Sequence, residues 1–146
     1  MSHKSTTDLN GADLNGAYLR NANLCGADLN GADLSGAQLT DANLFGVNLT
    51  DANLCGADLN GAYLIGAKLR DANLERADLT NASLDGANLN GANLSGTYLE
   101  RADLSDANFI CANLEGAKNV DLTGVSPAQI TPPEGYELVP SVPEQL

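Results

Sequence analysis

The chain has 146 residues, which suits one domain, and its 19 acidic and 7 basic residues give a formal charge of −12. Phosphate backbones and anionic membranes attract positive surfaces, so this charge argues against direct binding of nucleic acid or of a membrane. No apolar run is long enough to cross a bilayer, and the first residues lack the hydrophobic stretch of a signal peptide, although an already processed chain would begin in the same way. The odd number of cysteines, 3, favours a reducing compartment over a disulfide framework and predicts a cytoplasmic protein.

A five-residue repeat occupies most of the chain. Leu stands at every fifth position from Leu9 to Leu114, except that Phe109 replaces it once. Two places before these residues, from position 12 to 117, stands Ala, with Val47 and Thr97 as the exceptions. Asp or Asn often precedes the Leu, and a polar residue and then Gly often follow it. The unit is therefore Ala-Asp/Asn-Leu-X-Gly, where X varies.

This period fits neither a helix nor a straight strand. Each residue of an α-helix advances about 100°, so steps of five residues would scatter the leucines around the helix. Side chains of a strand alternate between faces, so an odd step would send successive leucines to opposite sides. The chain must turn a corner once in each repeat, which makes every repeat one side of a polygon with Ala and Leu inside. We therefore predict short β-bridges and turns, with little helix outside residues 126–130.

These repeats resemble those of the pentapeptide-repeat family, and the resemblance is unbroken from residue 7 to 118. It implies an all-β fold, a right-handed quadrilateral β-helix (β-solenoid) in which four repeats make one coil. On this basis we expect a leader at residues 1–6, a solenoid of about five to six coils at 7–118, and a cap with a Pro-rich tail at 119–146. The resemblance also implies that Leu and the Ala before it fill the interior, while the other residues face water.

The glycines give a separate indication of a 20-residue coil. In the column of positions 26, 46, 66, 86 and 106 only the last is not Gly, whereas the column from 21 to 101 has Gly only at 61. Gly is used where φ must be positive, and Asn or Asp tolerate this conformation next best. The concentration of exceptions in one column predicts that different corners have different backbone conformations.

After Ala117 the register shifts by three residues, and residues 120–124 form one further repeat in an offset position. Ser126 followed by Pro127 is typical of a helix start, which predicts one short helical turn over residues 127–130. We expect the C-terminal segment to cap the last coil or lie along a face; the alternative is a partly disordered tail. The residues that would make this contact are Ile130, Tyr136, Leu138 and Val139.

The sequence offers no catalytic, cofactor-binding or metal site, so we expect a protein that is not an enzyme. His3 is the only histidine and precedes the repeats, so no Ser/His or Cys/His pair can form on the solenoid. Cys25, Cys55 and Cys111 fall on different sides or corners and cannot converge on a metal ion. Asp and Asn alternate freely at periodic positions, which favours a hydrogen-bonded, solvated face over a Ca²⁺ site.

One set of outward positions is apolar. Cys25, Phe45 and Ile65 follow leucines that are 20 residues apart, so they should stack on one face of successive coils, and Tyr63 flanks Ile65 across Leu64. Contiguous apolar residues at a surface favour a protein contact, although stacked neighbours also shield one another. We call Cys25, Phe45, Tyr63 and Ile65 the apolar patch. We expect it to bind an unknown protein partner or to form a weak side-by-side homodimer.

The second surface feature is acidic. Asp8 and Asp28 share one column and Asp13 and Asp33 share the next, and we call these four residues the acidic patch. Some pentapeptide-repeat proteins mimic DNA and regulate type II topoisomerases, so the resemblance makes such a role conceivable here. Asn48 and Lys68 follow Asp28 in the first column, and Asn53 and Asn73 follow Asp33 in the second, which leaves no long row of negative charge. Solvated charge explains the patch equally well.

The sequence thus predicts a non-enzymatic interaction or scaffold protein without identifying its biological process. Two alternatives stay open, an acidic DNA-mimic regulator of a type II topoisomerase and an accessory or regulatory subunit of an enzyme. For self-association, an edge contact between two first coils competes with the apolar patch. That contact would bring together the carboxylates of Asp8 and Asp13, so we favour the patch.

Overall fold

The structure, a computed structural model, describes residues 6–130. Its regular pairing consists of isolated parallel β-bridges between residues 20 apart, from Asp8↔Asp28 to Tyr98↔Lys118. Four repeats separate the bridged partners, so the chain closes a four-sided coil and stacks the coils into a right-handed quadrilateral β-helix. Among the described residues the only helix is a 3₁₀ helix at Pro127–Gln129. The predicted fold class and the scarcity of helix are therefore confirmed for this part of the chain.

Hydrogen bonds between coils follow the same pattern on every side. We number the faces by the leucines of the first coil, Leu9 on face 1, Leu14 on face 2, Leu19 on face 3 and Leu24 on face 4. On face 1, the N–H of Leu9 donates to the carbonyl of Asp28 at 2.8 Å, and the N–H of Asp28 donates to the carbonyl of Thr7 at 2.9 Å. A bridged residue such as Asp28 therefore directs both of its backbone polar groups at the preceding coil.

Where Asp or Asn precedes Leu, its side chain folds back onto the chain. Asp28 Oδ1 accepts the backbone N–H of Asn30 at 3.1 Å, and Asn53 Oδ1 accepts that of Cys55 at 3.1 Å. This bond needs only an oxygen acceptor, which both side chains supply. The free alternation of Asp and Asn therefore reflects a turn that either residue can stabilise.

All corners share one backbone conformation, so the prediction of different corner conformations is wrong. Every fifth residue from Gly11 to Gly116 has a φ between +55° and +69°, whether or not it is Gly. The corners that are neither Gly, Asn nor Asp are Arg76, Arg101 and Cys111. This left-handed conformation costs an ordinary L residue about 1–2 kcal/mol, so these three corners are locally strained.

The corners differ in the space that the adjacent coil leaves for a Cβ. A Cβ at Gly61 would collide with Oδ1 of Asp41, one coil earlier, and a Cβ at Gly91 would collide with Oδ1 of Asp71. Corners such as Gly26 and Gly46 have open space where a Cβ would stand. The side chain in the adjacent coil, rather than a difference in φ, therefore separates these two kinds of corner.

Ala and Leu side chains fill the interior, as predicted. From Ala27 to Ala112, the interior positions are at most 8% exposed, and Phe109 is fully buried. Thr97, the polar exception, donates its hydroxyl to the Leu94 carbonyl at 2.8 Å. Within residues 6–130, no buried side-chain nitrogen or oxygen is without a hydrogen-bond partner.

The first coil is more exposed than those that follow. Its leucines, Leu9, Leu14, Leu19 and Leu24, are only partly buried against the core. Its bridging residues, Asp8, Asp13, Tyr18 and Asn23, have backbone N–H groups with no partner among the described residues. This end of the described solenoid therefore exposes both an apolar interior and a polar backbone edge.

Residues 120–124 form the predicted offset repeat. Asp121 Oδ1 accepts the N–H of Thr123 at 2.9 Å, as in the regular repeats, and Leu122 packs partly buried against the core. The N–H of Val125 donates to the carbonyl of Leu122 at 3.0 Å, which is the bond that closes every regular corner. The repeat thus keeps its local geometry although its register has changed.

The predicted helical turn is the 3₁₀ helix Pro127–Gln129, which follows Ser126. The Ser126 side chain makes no capping hydrogen bond, and its carbonyl instead accepts the N–H of Gln129 at 2.8 Å. Ile130 then bridges Phe109, whose N–H donates to the carbonyl of Gln129 at 2.7 Å. Residues 129 and 130 therefore lie along the last coil. The other predicted cap residues, Tyr136, Leu138 and Val139, lie outside the described residues.

Candidate functional site

The apolar patch is aligned on face 4 by the hydrogen bonds between coils. The carbonyl of Phe45 accepts the N–H of Gly26 at 2.9 Å, and the carbonyl of Ile65 accepts the N–H of Gly46 at 3.0 Å. Because each bond joins adjacent coils, the residues after Leu24, Leu44 and Leu64 form one column, as the 20-residue spacing predicts. The side chain of Phe45 is 53% exposed, that of Cys25 is exposed and that of Ile65 is half-buried.

Tyr63 extends the patch sideways within the coil that holds Ile65. Its backbone bridges those of Asn43 and Ser83 in the coils before and after, and its side chain is 51% exposed. The column of the patch ends at Asp85, whose carbonyl accepts the N–H of Gly66 at 2.9 Å. Apolar side chains are thus bordered by polar ones, an arrangement typical of protein-binding surfaces.

Two further exposed aromatic residues lie on face 3. Tyr18 is 83% exposed and Tyr98 is 42% exposed, and four coils separate them. Lys118 stacks over Tyr98, with Nζ 4.7 Å from the ring centroid and 3.4 Å from the hydroxyl. Sequence reasoning missed this pair, although the shared column at positions 98 and 118 was a usable signal. The structure does not join either tyrosine to the apolar patch.

The acidic patch has the register that the sequence predicts, because Asp8 bridges Asp28 and Asp13 bridges Asp33. The Ser35 hydroxyl donates to Asp33 Oδ1 at 2.6 Å and, with the Ser35 backbone N–H, holds the pKa of Asp33 below its usual range. The two ion pairs among the described residues lie elsewhere: Arg70 pairs with Asp71, and Arg76 pairs with Glu75. These carboxylates are therefore stabilised by hydrogen bonds to neutral groups.

Face 2 continues from Asp33 as a ladder of stacked amides. Asn53 Nδ2 donates to Asp33 Oδ1 at 3.4 Å, and Asn73 Nδ2 donates to Asn53 Oδ1 at 3.3 Å. Asn93 and Asn113 extend the ladder with bonds of 3.3 Å and 3.4 Å. An amide can donate to one coil and accept from the next, whereas a carboxylate can only accept. The ladder explains why Asn replaces Asp along this column.

Asn53→Asp tests the ladder. The outward position of Asn53 alone predicts a nearly silent change, but the structure adds two costs. The variant loses the bond to Asp33 and places two carboxylates directly opposite each other, which destabilises paired strands. We expect thermal denaturation at pH 7 to show a melting temperature lower by roughly 2–4 °C.

The matched control is Asn88→Asp, which makes the same charge change between Lys68 and Asn108 and should be nearly neutral. Repulsion raises the pKa of the new carboxyl pair in the folded state, so the penalty of Asn53→Asp should grow as pH rises through that pKa and fade below about pH 4. Equal melting temperatures for the two variants at pH 7 would show that the ladder contributes nothing.

The described residues do not assemble a metal site, since no group of three or more His, Cys, Asp or Glu converges within 6–130. Cys25 and Cys55 lie on opposite faces, 4 and 2, and Cys111 occupies a corner, as predicted. His3 lies outside the described residues. In the same part of the chain no helix has the length and apolar character needed to cross a bilayer.

Comparison with known proteins agrees with this architecture. Residues 7–46, 48–86 and 82–126 match the profile of pentapeptide repeats, in 8 copies. A search of curated proteins finds no match. Among solved structures, alr5209, a pentapeptide repeat protein from Nostoc PCC 7120, is 36% identical over 82% of this chain and 84% of its own, with a TM-score of 0.61.

Two other similar structures share less of their length with this chain. HetL, a pentapeptide repeat protein involved in heterocyst differentiation regulation in Nostoc sp. strain PCC 7120, is 37% identical over 75% of this chain and 58% of its own, with a TM-score of 0.47. A pentapeptide repeat protein of the Arabidopsis thaliana thylakoid lumen is 33% identical over 70% and 65%, with a TM-score of 0.36. This chain thus spans less than two thirds of either protein. Since the repeat profile covers most of this chain, the chain belongs to the pentapeptide-repeat family.

Proposed function

We propose that this protein is a non-enzymatic interaction module that binds a protein partner through the apolar patch. The observation that carries the proposal is the half-exposure of Phe45, in the apolar column of face 4, and of Tyr63 beside that column. Leu and Ala elsewhere in the repeats point into the core, so these aromatic rings are not needed to fill the interior. Aromatic side chains surrounded by polar ones are the usual energetic centre of a protein interface.

The solenoid suits this role because it holds the patch rigidly. Bonds of 2.9 Å and 3.0 Å fix the backbone of Phe45 and Ile65 to the preceding coils. A preorganised surface loses little conformational entropy on binding, so a small apolar contact can be sufficient. The formal charge of −12 favours a partner with a basic rim around its apolar contact. An accessory subunit of an enzyme would use the same surface.

A differential pull-down from the source cells tests the proposal. The wild type is compared with a Phe45→Lys, Ile65→Lys double variant and with an Asn10→Lys, Asn30→Lys control, which adds the same charge in one column of face 1. We expect a partner that the wild type and the control retain and the patch variant loses by at least about tenfold, because a buried lysine without a counter-charge opposes binding. An identical set of bound proteins for all three would exclude the patch as the binding surface. The side-by-side homodimer through this patch, which the sequence suggests, is the competing outcome of the sedimentation series described below.

The DNA-mimic alternative rests on the acidic patch, and the structure gives it less support. Each column of the patch contains carboxylates in two successive coils and then turns to Asn48 on face 1 and to the amide ladder on face 2. A mimic of duplex DNA needs negative charge repeated over a longer distance. A gyrase supercoiling assay distinguishes the two functions, since only a topoisomerase regulator would change the rate of supercoiling.

A further inference from the structure

The exposed edge of the first coil presents the same backbone hydrogen-bonding groups on each face. By the 20-residue repeat, Asp8 has the orientation of Asp28, which directs its N–H and its carbonyl at the preceding coil. Asp13, Tyr18 and Asn23 occupy the same position on faces 2, 3 and 4. Each face thus presents one residue with both backbone groups pointing out of the end of the solenoid.

We propose that this edge is the interface of an isologous dimer, in which the first coils of two copies stack end to end about one particular two-fold axis. A two-fold axis perpendicular to the solenoid reverses the direction of each strand, so the facing edges run antiparallel. In an antiparallel pair, two directly opposed residues exchange both of their backbone hydrogen bonds. Each of the four bridging residues would then satisfy its N–H and carbonyl with one residue of the second copy.

The helical rise selects the axis. The chain climbs about 4.8 Å per coil, so the edge is lowest at face 1 and rises steadily through faces 2, 3 and 4. One possible two-fold axis passes through two corners, the one between faces 4 and 1 and the one between faces 2 and 3. This axis pairs face 1 with face 4 of the second copy, and face 2 with face 3 of the second copy. The lowest face then meets the highest, and the gap is the same at all four pairs. The other three two-fold arrangements of the four faces leave unequal gaps between the paired edges.

The charges select the same axis independently. It places Asp8 opposite Asn23 of the second copy and Asp13 opposite Tyr18 of the second copy, so no carboxylates face each other. The other three arrangements oppose Asp8 to Asp8, Asp13 to Asp13, or Asp8 to Asp13. The objection that an edge contact crowds carboxylates therefore applies to every axis except the one that the helical rise prefers.

Side chains at the interface are complementary on this axis. Asn23 uses Oδ1 to accept the N–H of Cys25 at 3.2 Å, and Asp8 uses Oδ1 to accept the N–H of Asn10 at 3.1 Å. The Asn23 amide can therefore donate from Nδ2 to the other carboxylate oxygen of Asp8, a charge-assisted bond. In the interior, antiparallel pairing sets Leu9 against Ala22 and Leu14 against Ala17, so that large side chains meet small ones and the partly buried leucines are covered.

Sedimentation velocity of the full chain over a concentration series at about 0.15 M salt tests the proposal. Asn23→Asp places a carboxylate opposite Asp8 of the second copy, and the two-fold axis repeats this pair. We therefore expect the dissociation constant of the dimer to rise about tenfold. The control Asn43→Asp makes the same change one coil later in the same column and should leave association unchanged. Both variants keep the oxygen acceptor of the turn, and far-ultraviolet circular dichroism verifies that they fold. Tyr18→Asp, opposite Asp13, is a second variant with the same expectation.

A charge exchange identifies the axis. The double variant Asp8→Asn, Asn23→Asp swaps the two members of the proposed pair, so it should dimerise as the wild type does. The Phe45→Lys, Ile65→Lys variant should also remain dimeric, because the apolar patch lies on a side face. The proposal is overturned by a wild type that stays monomeric at every concentration, by equal behaviour of Asn23→Asp and Asn43→Asp, or by failure of the exchange to restore association. Loss of the dimer in the patch variant would instead assign the contact to face 4.

Discussion

Leu64→Asp should leave the chain without a cooperative thermal transition at pH 7. Leu64 is fully buried, and Leu44 and Leu84, its equivalents in the adjacent coils, are fully buried as well. A carboxylate at this site would have no counter-charge or water, and an unpaired buried charge costs several kcal/mol or more. A typical domain is stable by only about 5–15 kcal/mol, and the coils on both sides lose packing at the same time. Circular dichroism and thermal denaturation measure the effect.

Ile65→Asp is the matched control, since Ile65 is adjacent in sequence, half-buried and outward. It should lower the melting temperature by only a few degrees. Leu64→Ala keeps the site apolar and should fold with a loss of about 2–5 kcal/mol, which gives a measurable value for the cavity. If Leu64→Asp and Ile65→Asp melted at the same temperature, the division into interior and exterior positions would be wrong.

Phe109→Ala should destabilise the chain by about 3–5 kcal/mol, the second largest effect we expect. Phe109 is fully buried at the end of the regular ladder, and its N–H donates to the carbonyl of Gln129 at 2.7 Å. Removal of the ring opens a cavity beneath the segment that pairs with Ile130. Relative to the wild type, the variant should therefore show a larger increase in hydrogen exchange at the backbone N–H of residue 109 than at the backbone N–H groups of coils in the centre of the solenoid. Chemical denaturation gives the total loss of stability.

The other phenylalanine provides the control. Phe45 is 53% exposed, so Phe45→Ala should change the free energy of unfolding by less than about 1 kcal/mol. The same substitution should weaken binding of a partner at the apolar patch, which separates the two roles of phenylalanine in this chain. Equal losses of stability for Phe45→Ala and Phe109→Ala would contradict the assignment of Phe109 to the core.

Sequence by itself determined which residues lie inside the coil. A period of five is incompatible with a helix or a straight strand, so Leu64 and the Ala positions had to face an interior whatever the neighbours were. The 20-residue coil, which the family resemblance implied, then fixed the columns, and both the apolar patch and the pairs Asp8–Asp28 and Asp13–Asp33 follow from it. The offset repeat at 120–124 and the turn after Ser126 were also predictable, because each depends on a few adjacent residues.

Only the tertiary structure decided what adjacent coils do to each other. The corner φ is uniform, and the space for a Cβ at position 61 depends on the side chain of Asp41 in the coil before. Asn53 looks like any outward polar residue until its amide is placed between Asp33 and Asn73. Its contribution depends on side chains stacked 20 residues away, whereas the inward or outward direction of a residue depends on its place in a single repeat. The exposed edge at Asp8 is likewise a property of the stack, since the same repeat in a central coil has its backbone groups paired on both sides.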